Sequence, residues 1–505
     1  MLENHLSRLT RLGKMLLLSA VCASLAVWAI EPSHAAAGPN ILFMTADDMH
    51  WDSVGVYNSP VKGVTPNLDR LASEGFMFRH AYVQIAICTP SRQVMLSGNH
   101  SHQTMTRCFT PVERVGPTLP DLLKDNNYYL ANINKRQNQY PWDVRIDEEE
   151  SACGRDVSFY GTALTRIIKQ AQALDKPFFI MANMNDPHRP FHGAGLPNKV
   201  KDERRVSVPS HVYTAEEVSV PGFLPDLPDV RREMAEYYSS VRRADDCVGV
   251  MLETIEDLGV RDNTIVLFMS DHGISMPYSK INCYRASLRV PLLFSWPGRI
   301  EPQSIEEQQM VSAIDLAPTL LEMVGIGVPG HMAGRSFFPI MQGQKQQGRD
   351  FIVGYYYRNL RQTNMFPTFT IETRDQAYIY NPWSDGRKEV HNSDYTHSRT
   401  LAAMWSKAET DHAVRRRVDF HKYRVIEEFY DYSRDPYAFE NLIHDIRYQS
   451  DVKKMKKKLA AWMAETDHPV AALMKDPHNQ DKIDRYMQYE FENARKQIEE
   501  LKEGK

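Results

Sequence analysis

The stretch that decides the fold is Ile41–Asp48, ILFMTADD, in which a short apolar run ends in two adjacent carboxylates. Such a run is typical of a strand that is buried on both faces. The pattern returns at Pro177–Met181, which leads into Asn185–His188, and at Thr264–Met269, which leads into Ser270–Gly273. Three predicted strands therefore end in acidic or histidine clusters.

Helical patterns lie between these strands and after them. Pro66 suits the first turn of a helix that Gly75 ends, and Val241–Leu258 and Ile314–Val324 also predict helices. Val290–Phe294 predicts a fourth strand. Strands that alternate with helices indicate an α/β fold, with a large, mostly parallel sheet between helices.

The carboxyl ends of parallel strands meet at one edge of the sheet, where ligands bind in open α/β folds. The sequence therefore predicts that five side chains gather at this edge: Asp47, Asp48, His188, Asp271 and His272. Each of them alone is explained as well by a capping carboxylate or a surface histidine. Three such strand ends together favour a functional site.

The composition is that of a globular protein, which excludes a wholly disordered or fibrous chain. The chain has 505 residues, with 60 Lys and Arg against 64 Asp and Glu and a formal net charge of −4. This balance lacks the basic excess of a general nucleic-acid binder, so no nucleic-acid partner is expected.

The first residues have the pattern of a secretory signal peptide, which we place at 1–35. Arg8, Arg11 and Lys14 precede the apolar run Met15–Ile30, and small residues follow at 33–37. An uncleaved membrane anchor is the alternative, but the run is short for a span. We expect export to a periplasmic, extracellular or lysosome-like compartment, with no membrane span after cleavage.

The remaining chain divides into a catalytic domain at 36–355, a smaller C-terminal domain at 356–475 and a polar helical tail at 476–505. The smaller domain is expected to combine an antiparallel sheet, with strands at Tyr355–Tyr357 and Gln376–Asn381, and a helix at Val452–Thr466. Residues 384–424 are polar and basic in patches and predict long loops. The oligomeric state stays open.

The motif that decides the function is Cys88–Arg92, CTPSR. C-x-P-S-R is the sequence in which sulfatase maturation enzymes oxidise cysteine to formylglycine. Because the motif also follows the strand-end pair Asp47 and Asp48, the chain resembles the type I sulfatases of the alkaline-phosphatase-like superfamily. The alternative for Cys88 is a buried structural thiol or half of a disulfide.

The resemblance implies a modified Cys88 and a partner enzyme that makes the modification. The hydrated aldehyde attacks sulfur with one hydroxyl, and the other hydroxyl later expels sulfate. Pro90 and Ser91 suit a helix start, and the helix N-terminus favours negative charge at the nucleophile. Arg92 is expected to hold this group and its neighbours.

The resemblance also implies a hard metal ion, Ca²⁺ or alternatively Mg²⁺, because oxygen atoms dominate the ligands. The implied ligands are Asp47, Asp48, Asp271 and His272, with the modified Cys88. Many relatives have asparagine where this chain has His272, so this position is a variant of the family pattern.

Three cationic or histidine positions are expected to contact the sulfate group: Lys135, His188 and Lys280. His188 is also the implied proton donor to the leaving group. One residue departs from the family pattern, because Gln137 stands where relatives have a histidine. Glutamine can bind substrate but cannot act as a base, so we consider His100 and His102 as replacements.

Softer likenesses at Asn185–Arg189, Val220–Asp226 and Ala461–Pro469 point to the heparan N-sulfatase (sulfamidase) branch of the family. This likeness implies hydrolysis of N-sulfoglucosamine in heparan sulfate or heparin, with a sulfated glycan as partner. The alternatives are an O-sulfatase on another polysaccharide, an arylsulfatase, a phosphomonoester or phosphonate hydrolase, and a catalytically impaired sugar-binding relative. Several Arg and Lys between Arg358 and Arg424 are expected to line a basic rim.

Overall fold

The computed structural model describes residues 38–502, except 110–112, 136, 196–199, 201, 359–364, 391–395 and 397. The predicted signal peptide at 1–35 lies outside the described residues. The predicted domain boundaries at 355 and 475 stay predictions.

The strands belong to one large sheet and two small ones. Their bounds are β1 Asn40–Ala46, β2 Phe76–Phe78, β3 Ala81–Tyr82, β4 Tyr129–Ile133, β5 Val144–Ile146, β6 Phe178–Asn183, β7 Thr264–Ser270, β8 Arg289–Val290, β9 Leu292–Ser295, β10 Ser304–Glu306, β11 Val311–Ser312, β12 Ile352–Arg358, β13 Met365–Glu372, β14 Gln376–Tyr380 and β15 Glu427–Asp431.

The helices lie on both sides of the large sheet and beside the C-terminal sheet. Their bounds are α1 Pro66–Ser73, α2 Cys88–Ser97, α3 Leu119–Asp125, α4 Val157–Ala173, α5 Pro228–Asp257, α6 Arg285–Leu288, α7 Leu316–Met323, α8 Phe338–Met341, α9 Arg399–Ala408, α10 His412–Tyr423, α11 Gln449–Glu465 and α12 Gln480–Lys502.

The large sheet has the strand order β10-β2-β9-β7-β1-β6-β4-β5. The pairings make β9 antiparallel to both of its neighbours, whereas the other adjacent pairs in this sheet are parallel. The predicted, mostly parallel sheet is therefore confirmed. In register, Ala46 pairs with Ser270 and Thr45 pairs with Asn183, so the residues that follow β7, β1 and β6 leave the sheet side by side.

Successive side chains of β1 point to opposite faces of the sheet, which explains why the sheet lies between two helical layers. Ile41 and Phe43 pack into a core with α2, α3, α7 and α8, whereas Leu42 and Met44 pack into a core with α1, α4 and α5. Both faces of the strand are therefore apolar, as in buried parallel sheets.

The C-terminal sheet is antiparallel, with the order β12-β13-β14-β15. Its apolar face packs against α11 and α12. It also packs against Ile87, which directly precedes Cys88, and against Val94 within α2. This sheet therefore supports the helix that carries the cysteine motif.

Two sequence predictions were wrong at the level of elements. Val290–Phe294 contains two strands in different sheets, because Pro291 has no N–H to continue a ladder. Residues 384–424 contain α9 and α10 rather than only loops. Asp411 caps α10 by accepting hydrogen bonds from the Ala413 and Val414 N–H groups, so a strong cap stabilises a helix whose sequence is mainly polar.

Among the described helices, none combines the length and the apolar character that crossing a lipid bilayer requires.

Candidate active site

The centre of the site is formed by residues that directly follow β1 and β7. Asp47, Asp48, Asp271 and His272 are fully buried. The Asp48 N–H donates to Asp271 Oδ1 at 3.2 Å, and Asp48 has a φ of +69°, in the left-handed region that non-glycine residues rarely adopt. The chain therefore turns sharply here and directs both carboxylates into one buried space.

Cys88 is the first residue of α2, so the predicted position at a helix N-terminus is confirmed. Its Sγ lies 3.3 Å from Asp47 Oδ1 and 3.4 Å from His272 Nε2. The Ser91 hydroxyl donates to the Asp271 carbonyl at 2.6 Å and ties the first turn of the helix to β7. Burial raises the pKa of the Cys88 thiol well above its usual value, and the Asp47 carboxylate raises it further. The unmodified side chain is therefore a protonated thiol and a poor nucleophile.

Arg92 lies one turn further along α2 and links the carboxylates. Its Nε donates to Asp271 Oδ2 at 3.1 Å, and its Nη2 lies 3.6 Å from Asp47 Oδ2. Its Nη1 donates to Thr45 Oγ1 at 2.6 Å and to Asn183 Oδ1 at 2.5 Å. The sequence reasoning missed Asn183, although a polar residue that ends the apolar strand β6 was a usable signal.

Lys135 and Lys280 both point at the carboxylates. Lys135 Nζ forms an ion pair with Asp47 Oδ2, and Lys280 Nζ lies 2.9 Å from Asp48 Oδ1. Burial acts to raise the pKa of Asp47, but the charges of Lys135, Arg92 and Lys280 outweigh it and hold this pKa well below the usual range. Burial dominates at Asp48, whose pKa is raised well above the usual range although Lys280 opposes this.

His188 lies on the loop that follows β6. Its Nδ1–H donates to the Arg189 carbonyl at 2.6 Å, because a carbonyl oxygen can only accept. Burial lowers the pKa of His188 to about 3, and Lys280 lowers it further. In the free protein, the ring is therefore neutral and keeps an unprotonated Nε2.

Buried ion pairs hold the His188 loop in place, and no local sequence pattern predicts them. Asp186 lies between Arg155, whose Nε is 3.0 Å from Asp186 Oδ1, and Arg243, whose Nε is 2.5 Å from Asp186 Oδ2. Arg155 Nη2 also donates to the His188 carbonyl at 2.7 Å. Arg155, in the turn before α4, and Arg243, within α5, thus fix the loop.

The ligand atoms of this cluster are close enough to hold one metal ion. Two sets have potential ligand atoms within 4.8 Å of one another: Asp47, Asp48, Cys88 and His188; and Asp47, Cys88, Asp271 and His272. Asp47 Oδ2 and Asp48 Oδ1 are buried and accept no hydrogen bond. Ion pairs with Lys135 and Lys280 alone therefore offset the cost of burying these oxygens. Carboxylate oxygens that lack hydrogen-bond donors suit a hard cation such as Ca²⁺ or Mg²⁺. The residues present therefore fit the implied metal.

Gln137 is buried, but its described contacts lie away from Cys88. Its Oε1 accepts from the side-chain amides of Gln93 at 3.2 Å and Gln139 at 3.4 Å. The Gln137 carbonyl accepts from the Trp142 indole at 2.8 Å. These bonds give the side chain a structural role, and its predicted contact with substrate stays a prediction.

The two histidines considered as replacements, His100 and His102, lie in a different cluster. Their rings are stacked with centroids 5.5 Å apart, and His102 lies 4.4 Å from the ring of His468. His102 Nε2–H donates to the Thr466 carbonyl at 2.9 Å. Both rings also contact Trp462 of α11, so their described contacts point to packing rather than to catalysis.

The other cysteines in the described part of the chain are Cys108, Cys153, Cys247 and Cys283. All four are buried, and none of them is in a disulfide. Cys88 thus differs from them in its position between carboxylates, not in its redox state.

Two family models match the chain. The model described as Sulfatase matches residues 39–326, which include the site residues from Asp47 to Lys280. The model described as N-sulphoglucosamine sulphohydrolase, C-terminal, matches residues 272–392.

Individual relatives agree with these matches. The human N-sulphoglucosamine sulphohydrolase is 29% identical over 464 residues, which cover 85% of this chain and 91% of that protein. An ulvan-active sulfatase of Formosa agariphila is 25% identical and covers 84% of this chain and 74% of its own length.

Solved structures show the fold. A complex with the substrate D-glucosamine-2-N,6-O-disulfate aligns with a TM-score of 0.63 and 19% identity, covering 85% of this chain and 98% of that chain. The phosphonate monoester hydrolase of Agrobacterium radiobacter aligns with a TM-score of 0.63 and 16% identity, covering 85% and 96%. The predicted alkaline-phosphatase-like fold is thereby confirmed. On the match across residues 39–326, the chain belongs to the sulfatase family, and it is a hydrolase of sulfate esters or sulfamates.

Proposed function

We propose that this sulfatase removes the N-sulfate group from terminal glucosamine in glycans of the heparan sulfate and heparin type. The observation that carries the proposal is the match of residues 272–392 to the C-terminal model of N-sulphoglucosamine sulphohydrolase. The 29% identity to the human protein of that name, over 85% of this chain, supports the same substrate.

The proposed cofactors are Ca²⁺, or alternatively Mg²⁺, and formylglycine made from Cys88 by a maturation enzyme. When present, formylglycine would supply a hydroxyl nucleophile and a second hydroxyl for release of sulfate, and the metal would supply Lewis-acid polarisation of the sulfate oxygens. Asp47, Asp48, Asp271 and His272 would hold the metal beside Cys88. Support for the modification comes from burial of Cys88, because the same position makes an unmodified thiol unreactive.

The remaining site residues fix and neutralise charge. Arg92 holds Asp271 and Asp47 in place through its two ion pairs. With the metal bound, Lys135 and Lys280 would be released from full pairing with Asp47 and Asp48 and would face the sulfate. Three carboxylates are matched by three cationic side chains, so a bound dication makes the site positive, which favours an anionic sulfate.

His188 is the proposed proton donor to the leaving nitrogen. The ring is neutral in the free protein, but an anionic sulfate bound beside it raises the pKa of an imidazole and favours uptake of a proton. Because Nδ1–H already donates to the Arg189 carbonyl, Nε2 is the ring nitrogen that would take up this proton and pass it on. General acid help of this kind is worth roughly 10²–10⁴ in rate.

We propose export through the signal peptide at 1–35, since the maturation and substrate chemistry suit an exported enzyme. The partners are then the sulfated glycan and the maturation enzyme, both met outside or on the way out of the cytoplasm.

The second candidate is an O-sulfatase on another sulfated polysaccharide. The 25% identity to an ulvan-active sulfatase over 84% of this chain favours this alternative. Gln137 favours a third outcome, an impaired sugar-binding relative, because an amide cannot take up the proton that a histidine would.

The test is the mass of the peptide across Cys88 in protein from the native host, followed by sulfate release. We expect a mass about 18 Da below that of the unmodified peptide, the change from thiol to aldehyde. We then expect release from N-sulfoglucosamine in preference to 6-O-sulfated N-acetylglucosamine, with Cys88→Ala as the inactive control. Release from the O-sulfated sugar alone would establish the second candidate, and heparin binding without release would establish the third.

A further inference from the structure

A group of five basic residues, which we call the arginine cluster, lies outside the site described above. Its members are Arg79, His80, Arg285, Arg289 and Arg374. Arg289 Nε and Nη2 donate to the Arg79 carbonyl at 3.2 and 2.6 Å. Arg285 Nη2 donates to the Arg374 carbonyl at 2.8 Å. The turn after β2, the segment from α6 to β8 and the β13–β14 turn are thus tied together.

The arginine cluster has more positive than negative charge. Arg285 Nε lies 2.5 Å from Glu372 Oε1, and Arg79 Nε lies 3.4 Å from Glu307 Oε2. Arg289 and Arg374 appear in none of the ion pairs found among the described residues. Arg289 is only 7% exposed and stacks 3.8 Å from the ring centroid of Trp51. Burial lowers the pKa of Arg289 and the charge of Arg285 lowers it further, whereas the Glu372 carboxylate, which is already paired with Arg285, raises it.

His80 lies among these arginines with a polar atom that lacks a partner. Its Nδ1 is buried and makes no hydrogen bond to the protein. Burial lowers the pKa of His80 to about 3, with further lowering by Arg289, Arg285, Arg374 and Arg79. The ring is therefore neutral, and its low pKa reflects the positive charge that the four arginines place around it.

The arginine cluster lies at the same edge of the large sheet as the candidate active site. Met77 pairs with Leu293, which pairs with Phe268, so the chain beyond β2 leaves the sheet level with the end of β7. β2 and β7 are separated by β9 alone, and two strand spacings amount to about 10 Å. An oligosaccharide bound at the active site is long enough to reach this cluster.

We propose that the arginine cluster is a second anion subsite, which binds another sulfate group of a polysulfated glycan while the first sulfate lies at Cys88. The substrate class rests on the proposed function above. Arg374 and Arg79 reach the surface and would contact the second sulfate directly. Arg289, whose guanidinium lies between the Trp51 ring and the Arg79 carbonyl, would add its positive charge from the buried side of the subsite.

The first experiment compares substrates of different length with Arg374→Gln and Arg79→Gln proteins in the matured, full-length chain. The substrates are N-sulfoglucosamine and a heparin hexasaccharide with N-sulfoglucosamine at its non-reducing end. We expect the KM for the hexasaccharide to rise about fivefold per charge removed, the effect of one partly exposed charge pair. The KM for the monosaccharide should change by a smaller factor. Equal changes for the two substrates would overturn the proposal.

Arg204→Gln is the matched control, because Arg204 is exposed and pairs only with Asp202 two residues away among the described ion pairs. Both KM values should stay at the wild-type level. If Arg204→Gln raised the hexasaccharide KM as much as Arg374→Gln does, general surface charge would explain the effect and the subsite would be refuted.

A binding measurement keeps this test separate from the proposed function. Calorimetric titration of heparin hexasaccharide into Cys88→Ala protein requires no turnover, so it remains informative if the chain releases no N-sulfate. A dissociation constant raised about fivefold by Arg374→Gln supports the subsite, and an unchanged constant refutes it. Inorganic sulfate that binds as tightly as the hexasaccharide would assign the arginine cluster to a free oxyanion and refute the glycan assignment.

Discussion

Lowering the pH from 7.5 to 5.0 should destabilise the folded protein through three buried histidines, His100, His102 and His468. Burial lowers the pKa of His100 to about 3 and that of His102 to about 4, and it lowers the pKa of His468 well below its usual value. Arg107 lowers the pKa of His102 further, whereas Asp467 opposes this. All three rings are neutral in the folded protein at neutral pH.

The sign follows from which state binds more protons. The unfolded chain protonates these histidines below about pH 6.5, whereas the folded chain protonates His100 only near pH 3 and His102 only near pH 4. Stability is therefore complete above pH 6.5 and falls as the pH drops, by about 1.4 kcal/mol per pH unit for each histidine. At pH 5.0 His100 and His102 each cost about 2 kcal/mol, so the two together cost about 4 kcal/mol, a large part of a typical free energy of unfolding. His468 acts in the same direction.

The assay is urea unfolding at several pH values, with His102→Gln compared with the wild type. The glutamine amide can still donate to the Thr466 carbonyl, so the change removes the titration and keeps the bond. Asp245, whose pKa is raised to about 7 by burial, takes up protons in the folded state and opposes the trend. Because both proteins contain Asp245, its contribution cancels in the difference between their free energies of unfolding.

Between pH 7.5 and 5.0, the free energy of unfolding should fall by about 2 kcal/mol more in the wild type than in His102→Gln. His211→Gln is the control, because His211 is exposed, and it should follow the wild-type curve. Parallel curves for the wild type and His102→Gln would refute the reasoning.

Three further predictions concern the site and its support. Asp186→Asn removes the carboxylate between Arg155 and Arg243, so urea unfolding should show a loss of about 3–5 kcal/mol; a loss below 1 kcal/mol would mean that the arginines find other partners. Ca²⁺ added to chelator-treated protein at a hundredfold excess over its dissociation constant should stabilise it by about 2.7 kcal/mol. A thermal melt measures this, and Asp271→Asn should reduce the effect; equal stabilisation of both proteins would place the ion elsewhere. Arg92→Lys keeps the charge but loses the fork that joins Asp271 to Thr45 and Asn183, so calorimetry should show weaker Ca²⁺ binding than in the wild type; unchanged affinity would contradict a positioning role for Arg92.

The edge of the sheet could be predicted because each strand has a local signal. An apolar run that ends in Asp47 or Asp271 gives both the strand and the side chains beyond it, and parallel pairing brings these ends together. Cys88 and Arg92 belong to one short motif, so their placement on one helix also followed from the sequence.

The supports of the site could not be predicted, because their partners are distant in sequence. Asp186 meets Arg155 and Arg243 only after α4 and α5 have packed on the sheet, and no local pattern marks this contact. The C-terminal helix α12 appears polar in sequence, but Glu490 is buried in an ion pair with Arg107. Helix α10 was missed because its cap, Asp411, and not an apolar stripe marks it. Helix α9 does bury apolar residues at helical spacing, Leu401, Met404 and Ala408, but they lie within a stretch that is polar and basic in patches.

The position of β1 at the centre of the large sheet affects how the chain is made. Its hydrogen-bonded neighbours are β6 and β7, and the bond from Asp48 to Asp271 spans 223 residues. During synthesis the ILFM segment emerges before the other strands, yet one of its edges stays open until β6 has left the ribosome and the other until β7 has. Unpaired apolar strands invite association with other chains, and distant pairing slows folding. The segment that leads into the buried carboxylates Asp47 and Asp48 is thus also the one that most needs a chaperone while the chain is incomplete.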